Sequence, residues 1–518
     1  MAAKTPLLLV ILDGWGLARP SYGNPISLAK LPNYNSFLKK YAFASLQASS
    51  TAVGLPLNQA GNSEAGHMNI GAGRIVEQDA VVISESINDG TFFRNPAFLQ
   101  AARYAREHRS NVHLIGLLTS DQSAHSDPDH LIALITLFKN QKVDNVFLHL
   151  FTDGRDSPRF FAQQLIKKYN GFFNKFAHLA TLAGRFYGMD RKKEWSRTKL
   201  AYNAIVLGQG LKEPDVETAI FQAYARGESD EFIKPTVMTG KDGRPAGTVN
   251  DNDAVVFFNL RSDRARQMCK PFVQERFEEE NPGSFKRAKV AKHLFLVAMT
   301  DFGPDLGNII TAYPSRDIVE TLPMALSGWR QLAIAESEKF AHITYFFNGG
   351  YADPVAGEKR VNIPSPDLKN YDKQPEMSLP KTSAYVVKAL AGHNYDFIVM
   401  NVANADMVAH TGNLFAAIKA CQAVDKALGE MAAAVLDVNG IMVITADHGN
   451  VEELISSETG WPDTEHSTSL VPFLVIKKGL KLKLRKQGIL ADVAPTILNL
   501  LKVTKPRLMT GRSLIVTN

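Results

Sequence analysis

Hydrophobic residues in this chain fall into short uninterrupted runs, separated by longer stretches in which apolar residues recur with helical spacing. The runs are predicted to be buried strands and the longer stretches amphipathic helices. Such alternation predicts an α/β protein built on largely parallel sheets. The predicted strands are residues 7–12, 112–118, 145–151, 178–183, 254–259, 293–299, 331–335, 343–348, 397–402, 441–446 and 472–476.

Composition adds exclusions to this pattern. The 518 residues are 45% hydrophobic, which is enough for full cores in roughly two to four domains. A net charge of +6 without a long Lys/Arg run predicts neither nucleic acid nor an anionic membrane as partner. Cys269 and Cys421 match no metal-binding spacing, and the apolar run at 7–12 is too short for a signal peptide or a membrane span. We expect a cytoplasmic globular protein.

The reactive residues nearly all follow directly after a predicted strand, where open α/β sheets bind their ligands. One group comes from the two ends of the chain, and a second group comes from the middle. We therefore expect one domain formed by residues 1–77 and 311–518, with residues 78–310 inserted as a second domain. Residues 227–252 and 362–382 are predicted to be linkers or surface loops.

Ser63 is the candidate nucleophile, because it stands in Gly61-Asn-Ser-Glu-Ala-Gly-His67 at a predicted helix start. A helix start offers free N–H groups and the positive end of a dipole, which suit a phosphoryl group held on a serine. An ordinary Asn/Ser helix cap would produce the same pattern. This segment alone leaves both interpretations open.

The group from the chain ends is predicted to bind metal. Asp406 and His410 are four residues apart and share one helical face, while Asp447 and His448 are adjacent at a strand end. Carboxylates mixed with imidazoles, without a thiolate, favour manganese or zinc. Two ions would clamp phosphate oxygens and activate the serine hydroxyl. The candidate ligands are Asp13, Ser63, Asp406, His410, Asp447, His448 and His466.

The group from the middle of the chain is predicted to bind a small anion. Guanidinium groups hold carboxylate or phosphate by paired hydrogen bonds, and four of them favour a substrate with more than one negative charge. They are Arg185, Arg191, Arg261 and Arg264. An acid is out of place in so positive a site unless it moves protons, so Asp156 is the candidate general acid/base. The alternative is a surface ion network of Asp156 with Arg155 or Arg159.

Together these motifs resemble the cofactor-independent phosphoglycerate mutases of the alkaline phosphatase superfamily. The matching blocks run in the family's order from about residue 7 to residue 500. They are Leu12-Asp-Gly-Trp-Gly16, the Ser63 segment, Thr152-Asp-Gly-Arg-Asp156, Gly184-Arg-Phe-Tyr-Gly-Met-Asp-Arg191, Phe258-Asn-Leu-Arg-Ser-Asp-Arg264, Glu336-Ser-Glu-Lys339, Asp406-Met-Val-Ala-His410 and Thr445-Ala-Asp-His-Gly-Asn450.

The resemblance implies an alkaline phosphatase-like metal-binding domain from both chain ends and an inserted α/β substrate domain. It also implies that 3-phosphoglycerate and 2-phosphoglycerate are interconverted through phospho-Ser63, with two Mn²⁺ ions and without 2,3-bisphosphoglycerate. One ion would be held by Asp406, His410 and His466, and the other by Asp13, Ser63, Asp447 and His448. Asp156 would exchange protons and Lys339 would neutralise the phosphoryl group. The implied substrate residues are His125, Arg155, Asp156, Arg185, Arg191, Arg261, Arg264 and Lys339.

The resemblance also implies a monomer. Its main departure is the loop before His125, which reads Ser120-Asp-Gln-Ser-Ala-His125 where the family usually has glycines before the histidine. A metal-dependent phosphatase or pyrophosphatase, in which water attacks phospho-Ser63, is one alternative. A catalytically idle anion-binding protein is the other.

Overall fold

The protein is described here by a computed structural model that covers residues 4–120, 123–303, 305–315, 317–456 and 459–516. Asp121 and Gln122, in the atypical loop, lie outside these ranges. Contacts divide the chain into two compact units. The terminal unit contains Met1–Gln78 and Arg316–Asn518, and the central unit contains Asp79–Ser315. We propose that these units are the two expected domains.

The strands, numbered along the chain, are β1 Leu7–Leu12, β2 Ala42–Gln47, β3 Val112–Leu118, β4 Val146–Thr152, β5 His178–Gly184, β6 Leu211–Glu213, β7 Thr236–Met238, β8 Ala254–Phe257, β9 Phe295–Thr300, β10 Ile310–Tyr313, β11 Gln331–Glu336, β12 Lys359–Ile363, β13 Phe397–Val402, β14 Ile441–Ala446, β15 Val471–Ile476 and β16 Gln487–Ile489.

The helices are α1 Pro25–Leu28, α2 Pro32–Lys40, α3 Ser63–Ala72, α4 Asp79–Asn88, α5 Pro96–His108, α6 Pro128–Asn140, α7 Ala162–Phe176, α8 Arg185–Gly188, α9 Trp195–Leu207, α10 Val216–Ala225, α11 Ser262–Val273, α12 Phe277–Glu280, α13 Leu322–Ala325, α14 Leu379–Ala391, α15 Asn404–Ala409, α16 Leu414–Asp437 and α17 Val493–Leu501.

The terminal unit is built on one eight-stranded sheet in the order β12-β11-β13-β1-β14-β15-β2-β16. The five strands from β12 to β14 are parallel, and β15 then runs antiparallel to its neighbours. Strand β1 is central, with Leu7 level with both Phe397 and Ile441. Every residue of β1, β13 and β14 is buried, as their continuous apolar sequences predict.

The central unit contains a second eight-stranded sheet in the order β10-β9-β8-β3-β4-β5-β7-β6. Six strands from β10 to β5 are parallel, and only the pairing of β5 with β7 is antiparallel. Two hydrophobic clusters cover this sheet. The predicted α/β class with largely parallel sheets is therefore confirmed in both units.

One predicted strand is wrong. Residues 343–348 were expected to extend, because they are rich in β-branched and aromatic residues, but His342–Phe346 forms a π-helical turn. Ile343 and Phe347, four residues apart, are both fully buried, so the helical turn places both side chains in the core. The carbonyl of Phe347 also packs against Gly71 of α3, where a Cβ would approach to 1.9 Å.

The sequence pattern also missed several strands. Strands β6, β7 and β16 have only three residues each, and β7 lies within the segment 227–252 that was predicted to be a loop. Strand β2 contains the small residues Ala44 and Ser45 and has no continuous apolar run, so the pattern used to predict strands did not detect it. The remaining predicted strands agree with the structure to within two residues.

Among the described residues, no helix combines the length and apolar character needed to cross a membrane. Cys269 and Cys421 are free, buried thiols in different units.

The central position of β1 predicts a large stability cost for truncating Leu9, which is fully buried between two parallel neighbours. Leu9→Ala should lower the unfolding free energy by about 2–5 kcal/mol, because it leaves a cavity that the sheet cannot close. Leu57→Ala is the matched control, since Leu57 is 72% exposed, and it should change stability by less than about 0.5 kcal/mol. Urea denaturation of both variants checks this. Equal effects would contradict the burial argument.

Candidate active site

The register of three adjacent strands brings residues from both chain ends together. Because β13, β1 and β14 are parallel and level, their carboxyl ends lie side by side. Asp13 follows β1 and Asp447 follows β14, while Asp406 lies on α15 just after β13. All three carboxylates are fully buried. This edge of the sheet therefore concentrates negative charge inside the protein.

Ser63 is the first residue of α3, and it is not the residue that caps the helix. The side chain of Asn62 accepts the backbone N–H of Ala65 at 2.9 Å and performs the capping role. The Ser63 hydroxyl is thereby free to point at the carboxylates. Its Oγ lies 3.2 Å from Asp13 Oδ1 and 3.0 Å from His448 Nε2.

Close packing requires glycine beside this hydroxyl. Gly66 in α3 faces the Asp447 loop, and a Cβ there would lie 2.4 Å from the Asp447 carbonyl oxygen. Gly61, just before the helix, has the carbonyl oxygen of Ala48 at 2.1 Å from its Cβ position. The two glycines of the motif thus allow the helix start to approach the ligand-bearing loop.

Lys339 places one positive charge among the carboxylates. It ends a 3-10 turn, Ser337–Lys339, that directly follows β11. Its Nζ donates to Asp13 Oδ1 and Asp406 Oδ2 at 2.7 Å each, and to Ser63 Oγ at 2.8 Å. Burial lowers the pKa of Lys339, but the carboxylates around it raise that pKa well above its ordinary range. The ammonium group is therefore permanently charged.

The pKa of His448 reflects the negative charge around it. Burial lowers the pKa of His448, but Asp447, Asp13 and Asp406 outweigh burial and raise it to about 9. Three buried carboxylates face one ammonium group, so the donor set favours additional positive charge. Such a set of oxygen and imidazole donors fits divalent cations.

His410 and His466 complete this donor set beside Asp406. Their Nε2 atoms lie 3.3 Å and 3.5 Å from Asp406 Oδ1, and 3.3 Å from each other. Each Nδ1 is 2.8 Å from a backbone carbonyl, that of Thr464 for His410 and that of Gly61 for His466. Carbonyl contacts of this kind orient metal-binding histidines with Nε2 directed at the ion.

The structure brings all seven predicted metal ligands to this edge of the sheet. Five of the seven form two groups whose ligand atoms lie within 4.8 Å of one another: Asp13, Asp447 and His448 in one, and Asp406, His448 and His466 in the other. Ser63 lies 3.2 Å from Asp13 and His410 lies 3.3 Å from Asp406, beside these groups. His448 belongs to both groups, whereas the family resemblance assigned it to one ion only.

Four buried polar residues around the ligands were not assigned from the sequence. Asn450 Nδ2 donates to Asp406 Oδ1 at 2.8 Å, and Glu452 accepts the backbone N–H groups of Gly16 and Asn450. Asn401 contacts Asp13, His67 contacts Asp447, and the two residues also contact each other. Asn401 could have been found, because it is a polar residue within the otherwise apolar run of β13.

The central unit gathers its candidate residues in the same way. Strands β8, β3, β4 and β5 are parallel neighbours, and the predicted residues follow their carboxyl ends. Arg185 Nη1 lies 2.6 Å from Asp153 Oδ1 and 3.0 Å from Asp156 Oδ2. Ser123 Oγ also donates to Asp156 Oδ2, at 2.8 Å. Among the described contacts Asp156 thus pairs with Arg185, and not with Arg155 or Arg159.

The charges of this cluster determine its protonation. Burial raises the pKa of Asp156, but Arg185, Ser123 and His125 together lower it below the ordinary value, so the carboxylate is ionised at neutral pH. For His125, burial, followed by Arg185 and Arg261, lowers the pKa to about 4, although Asp156 and Asp263 oppose this. His125 is therefore neutral at neutral pH.

Arg264 lies in a field of like charge. Burial, followed by Arg185, Arg191 and Arg155, lowers its pKa to about 10, and Asp263 only partly compensates. The remaining arginines are partly exposed: Arg191 pairs with Asp263 at 2.7 Å, and Arg155 lies 3.6 Å from Glu231. The predicted arginines thus form one positive cluster. Asp153 and Asp263, which order it, were not assigned from the sequence.

Comparison with known proteins shows the family of the chain. The family model of the metalloenzyme superfamily matches residues 5–505. The chain is 46% identical to the 2,3-bisphosphoglycerate-independent phosphoglycerate mutase 1 of Methanosarcina acetivorans, covering 99% of both chains. It is 43% identical to the corresponding enzyme of Chloroflexus aggregans, covering 100% of both.

A solved structure agrees as well. The crystal structure of Leishmania mexicana phosphoglycerate mutase at low cobalt concentration matches with a TM-score of 0.80 and 29% identity, covering 100% of this chain and 98% of that one. The chain therefore belongs to the metalloenzyme superfamily and, within it, to the 2,3-bisphosphoglycerate-independent phosphoglycerate mutases.

Proposed function

We propose that this protein interconverts 3-phosphoglycerate and 2-phosphoglycerate, without 2,3-bisphosphoglycerate, through a phosphoryl group held on Ser63. The observation that carries the proposal is the surroundings of one hydroxyl. Ser63 Oγ lies within 3.2 Å of Asp13, His448 and Lys339, at the start of a helix whose capping role belongs to Asn62. A serine held in this way is suited to attack phosphorus.

The metal requirement follows from the donor set. We propose that Asp13, Ser63, Asp447 and His448 hold one divalent ion and that Asp406, His410 and His466 hold a second. Oxygen and imidazole donors mixed without thiolate suit manganese or zinc, and we propose manganese because the family resemblance implies it. When bound, the two ions would neutralise phosphate charge and favour the ionised serine hydroxyl. His448, which belongs to both geometric groups, would lie where the two sites meet.

The residues themselves would perform the transfer as follows. The bond from Ser63 Oγ to phosphorus forms while the bond from phosphorus to the glycerate oxygen breaks, and the reverse transfer uses the other glycerate hydroxyl. Lys339, permanently charged and 2.8 Å from Ser63 Oγ, stabilises the negative charge of the transferring group. With Ser63 attacking in its ionised form, the first transfer leaves the glycerate oxygen as an alkoxide. Asp156, ionised at neutral pH, then takes the proton of the other glycerate hydroxyl and passes it to that alkoxide, and the deprotonated oxygen attacks phospho-Ser63 and restores the ionised serine.

The arginine cluster would hold the substrate. Phosphoglycerate carries a carboxylate and a phosphate, and paired guanidinium contacts suit both groups. His125, neutral and buried, has no hydrogen-bond partner for Nδ1 among the described residues. That atom is available to a substrate hydroxyl or phosphate. We further propose that the protein is a cytoplasmic monomer acting on this small molecule, in glycolysis and gluconeogenesis.

A phosphatase is the second candidate function, since the metal-binding unit alone would serve hydrolysis by water. The cluster of Arg185, Arg191, Arg261 and Arg264 favours the mutase, because a hydrolase has no need to retain dephosphorylated glycerate.

An assay without 2,3-bisphosphoglycerate tests the proposal. Purified protein with Mn²⁺ and 3-phosphoglycerate, coupled to enolase, should form 2-phosphoglycerate, and EDTA should abolish the activity until Mn²⁺ is restored in excess. Release of inorganic phosphate without 2-phosphoglycerate would identify a phosphatase. Full activity in EDTA after exhaustive dialysis would contradict the metal requirement.

Ser63→Ala should lower turnover at least about a thousandfold, because the variant lacks the attacking oxygen. The control is Ser196→Ala, which changes an exposed serine of α9 and should leave turnover unchanged. Incubation with substrate followed by acid quench and mass spectrometry should show phosphoserine in the wild type only. Substantial mutase turnover by Ser63→Ala would exclude the phosphoserine route.

Arg264→Gln should weaken substrate binding without lowering the stability of the protein. Removing a cation repelled by Arg185, Arg191 and Arg155 should leave the free protein as stable or more stable. The same change should raise KM for 3-phosphoglycerate at least about tenfold, since one charged contact to the anion is lost. Arg266→Gln, which instead removes an ion pair with Asp305, serves as control. An unchanged KM for Arg264→Gln would place this arginine outside the substrate site.

A further inference from the structure

His67 is the last residue of the Ser63 motif, and the proposed reaction gives it no part. It is fully buried, one helical turn after Ser63 in α3. Its Nδ1 lies 2.8 Å from the Ser63 carbonyl oxygen and 3.2 Å from Asp447 Oδ2. Its Nε2 lies 3.0 Å from Asn401 Nδ2. Both ring nitrogens therefore face groups of the metal site or its immediate support.

Asn401 connects His67 to the first ligand. Its Nδ2 donates a hydrogen bond to Asp13 Oδ2 at 2.6 Å. The atom facing Asp13 is therefore the amide NH₂ group, which has a second hydrogen directed at His67 Nε2. His67 Nε2 must then accept, so the ring proton is on Nδ1 and is donated to the Ser63 carbonyl. The contacts determine the tautomer of His67.

The chain of contacts links three elements of the site. It runs from Asp13 after β1, through Asn401 in β13 and His67 in α3, to Asp447 after β14. Asn401 binds Asp13 Oδ2 and leaves Oδ1 facing Ser63 and Lys339. The Nδ1 atom of His67 also lies 3.2 Å from Asp447 Oδ2, a buried oxygen that has no hydrogen-bond partner among the described residues.

We propose that His67 and Asn401 are a pair of positioning residues that orient the Asp13 and Asp447 carboxylates for metal binding and hold the first turn of α3 against them. The proposal rests on the metal site proposed above and adds two residues to it. Groups that hydrogen bond to metal ligands typically change metal affinity by about 10–100-fold when removed.

Metal titration of the full-length, metal-free protein tests the pair. His67→Phe keeps the ring and removes both nitrogens, and Asn401→Leu keeps the shape and removes the amide. Each should weaken Mn²⁺ binding in calorimetry by about 10–100-fold. The double variant should weaken it by less than the product of the two effects, because the residues act through one shared contact. Independent, multiplicative effects would overturn the pairing.

His342→Phe is the matched control. His342 is a partly buried imidazole whose ring centre lies 5.6 Å from that of His67, and its buried Nδ1 has no hydrogen-bond partner among the described residues. Its variant should bind Mn²⁺ as the wild type does. If His342→Phe weakened binding as much as His67→Phe, the effect would be one of packing and the proposal would fail.

Nitrogen-15 NMR of histidine-labelled wild type gives a readout that needs neither metal nor a variant. His67 should show the tautomer protonated on Nδ1 only, and protonation on Nε2 would overturn the proposal even if the variants failed to fold. The outcomes also separate the two proposals. Wild type that bound no Mn²⁺ would refute the metal site itself, whereas wild-type affinity in both variants would refute only the positioning pair.

Discussion

Three buried carboxylates at the ends of three adjacent parallel strands are the constraint around which the terminal unit is organised. Asp13, Asp406 and Asp447 are each fully buried, and an uncompensated buried carboxylate is strongly unfavourable. Lys339 lies directly among them and His448 gains a raised pKa from them. The surrounding glycines, the capping of α3 by Asn62 and the buried Asn and His side chains all maintain this arrangement. Burial of like charge is what suits this edge to divalent cations.

The central unit concentrates positive rather than negative charge. Its sheet also presents strand ends, but the residues there are mainly arginines, and burial together with repulsion by the neighbouring arginines lowers the pKa of Arg264. Asp153 and Asp156 order Arg185, and Asp263 orders Arg191, so the cluster is held in position by acids that only partly neutralise it. The remaining positive charge favours an anion. Within one chain, parallel sheets thus position a candidate cation site and a candidate anion site by the same topological rule.

Ser63 shows how far a local motif can be interpreted. A serine beside an asparagine at a helix start is equally compatible with a cap and with a nucleophile, since both use the free N–H groups of the first turn. The structure divides these tasks between neighbours: Asn62 accepts the Ala65 N–H, and Ser63 faces Asp13, His448 and Lys339. The contacts of the Ser63 hydroxyl that favour the second role are with residues 50, 276 and 385 positions away in the chain.

Sequence alone determined the fold class, the family and the positions of the central strands, because buried parallel strands have continuous apolar sequences and the motifs directly follow them. It also predicted the types of candidate metal ligand, since carboxylate and imidazole chemistry belongs to the side chain itself. Tertiary structure decided what depends on packing and on distance. The run 343–348 became a π-helical turn because Ile343 and Phe347 are buried together, and His448 entered both ligand groups because of strand register. The roles of His67 and Asn401 likewise depend on which atoms face Asp13 and Asp447, and no local pattern contains that information.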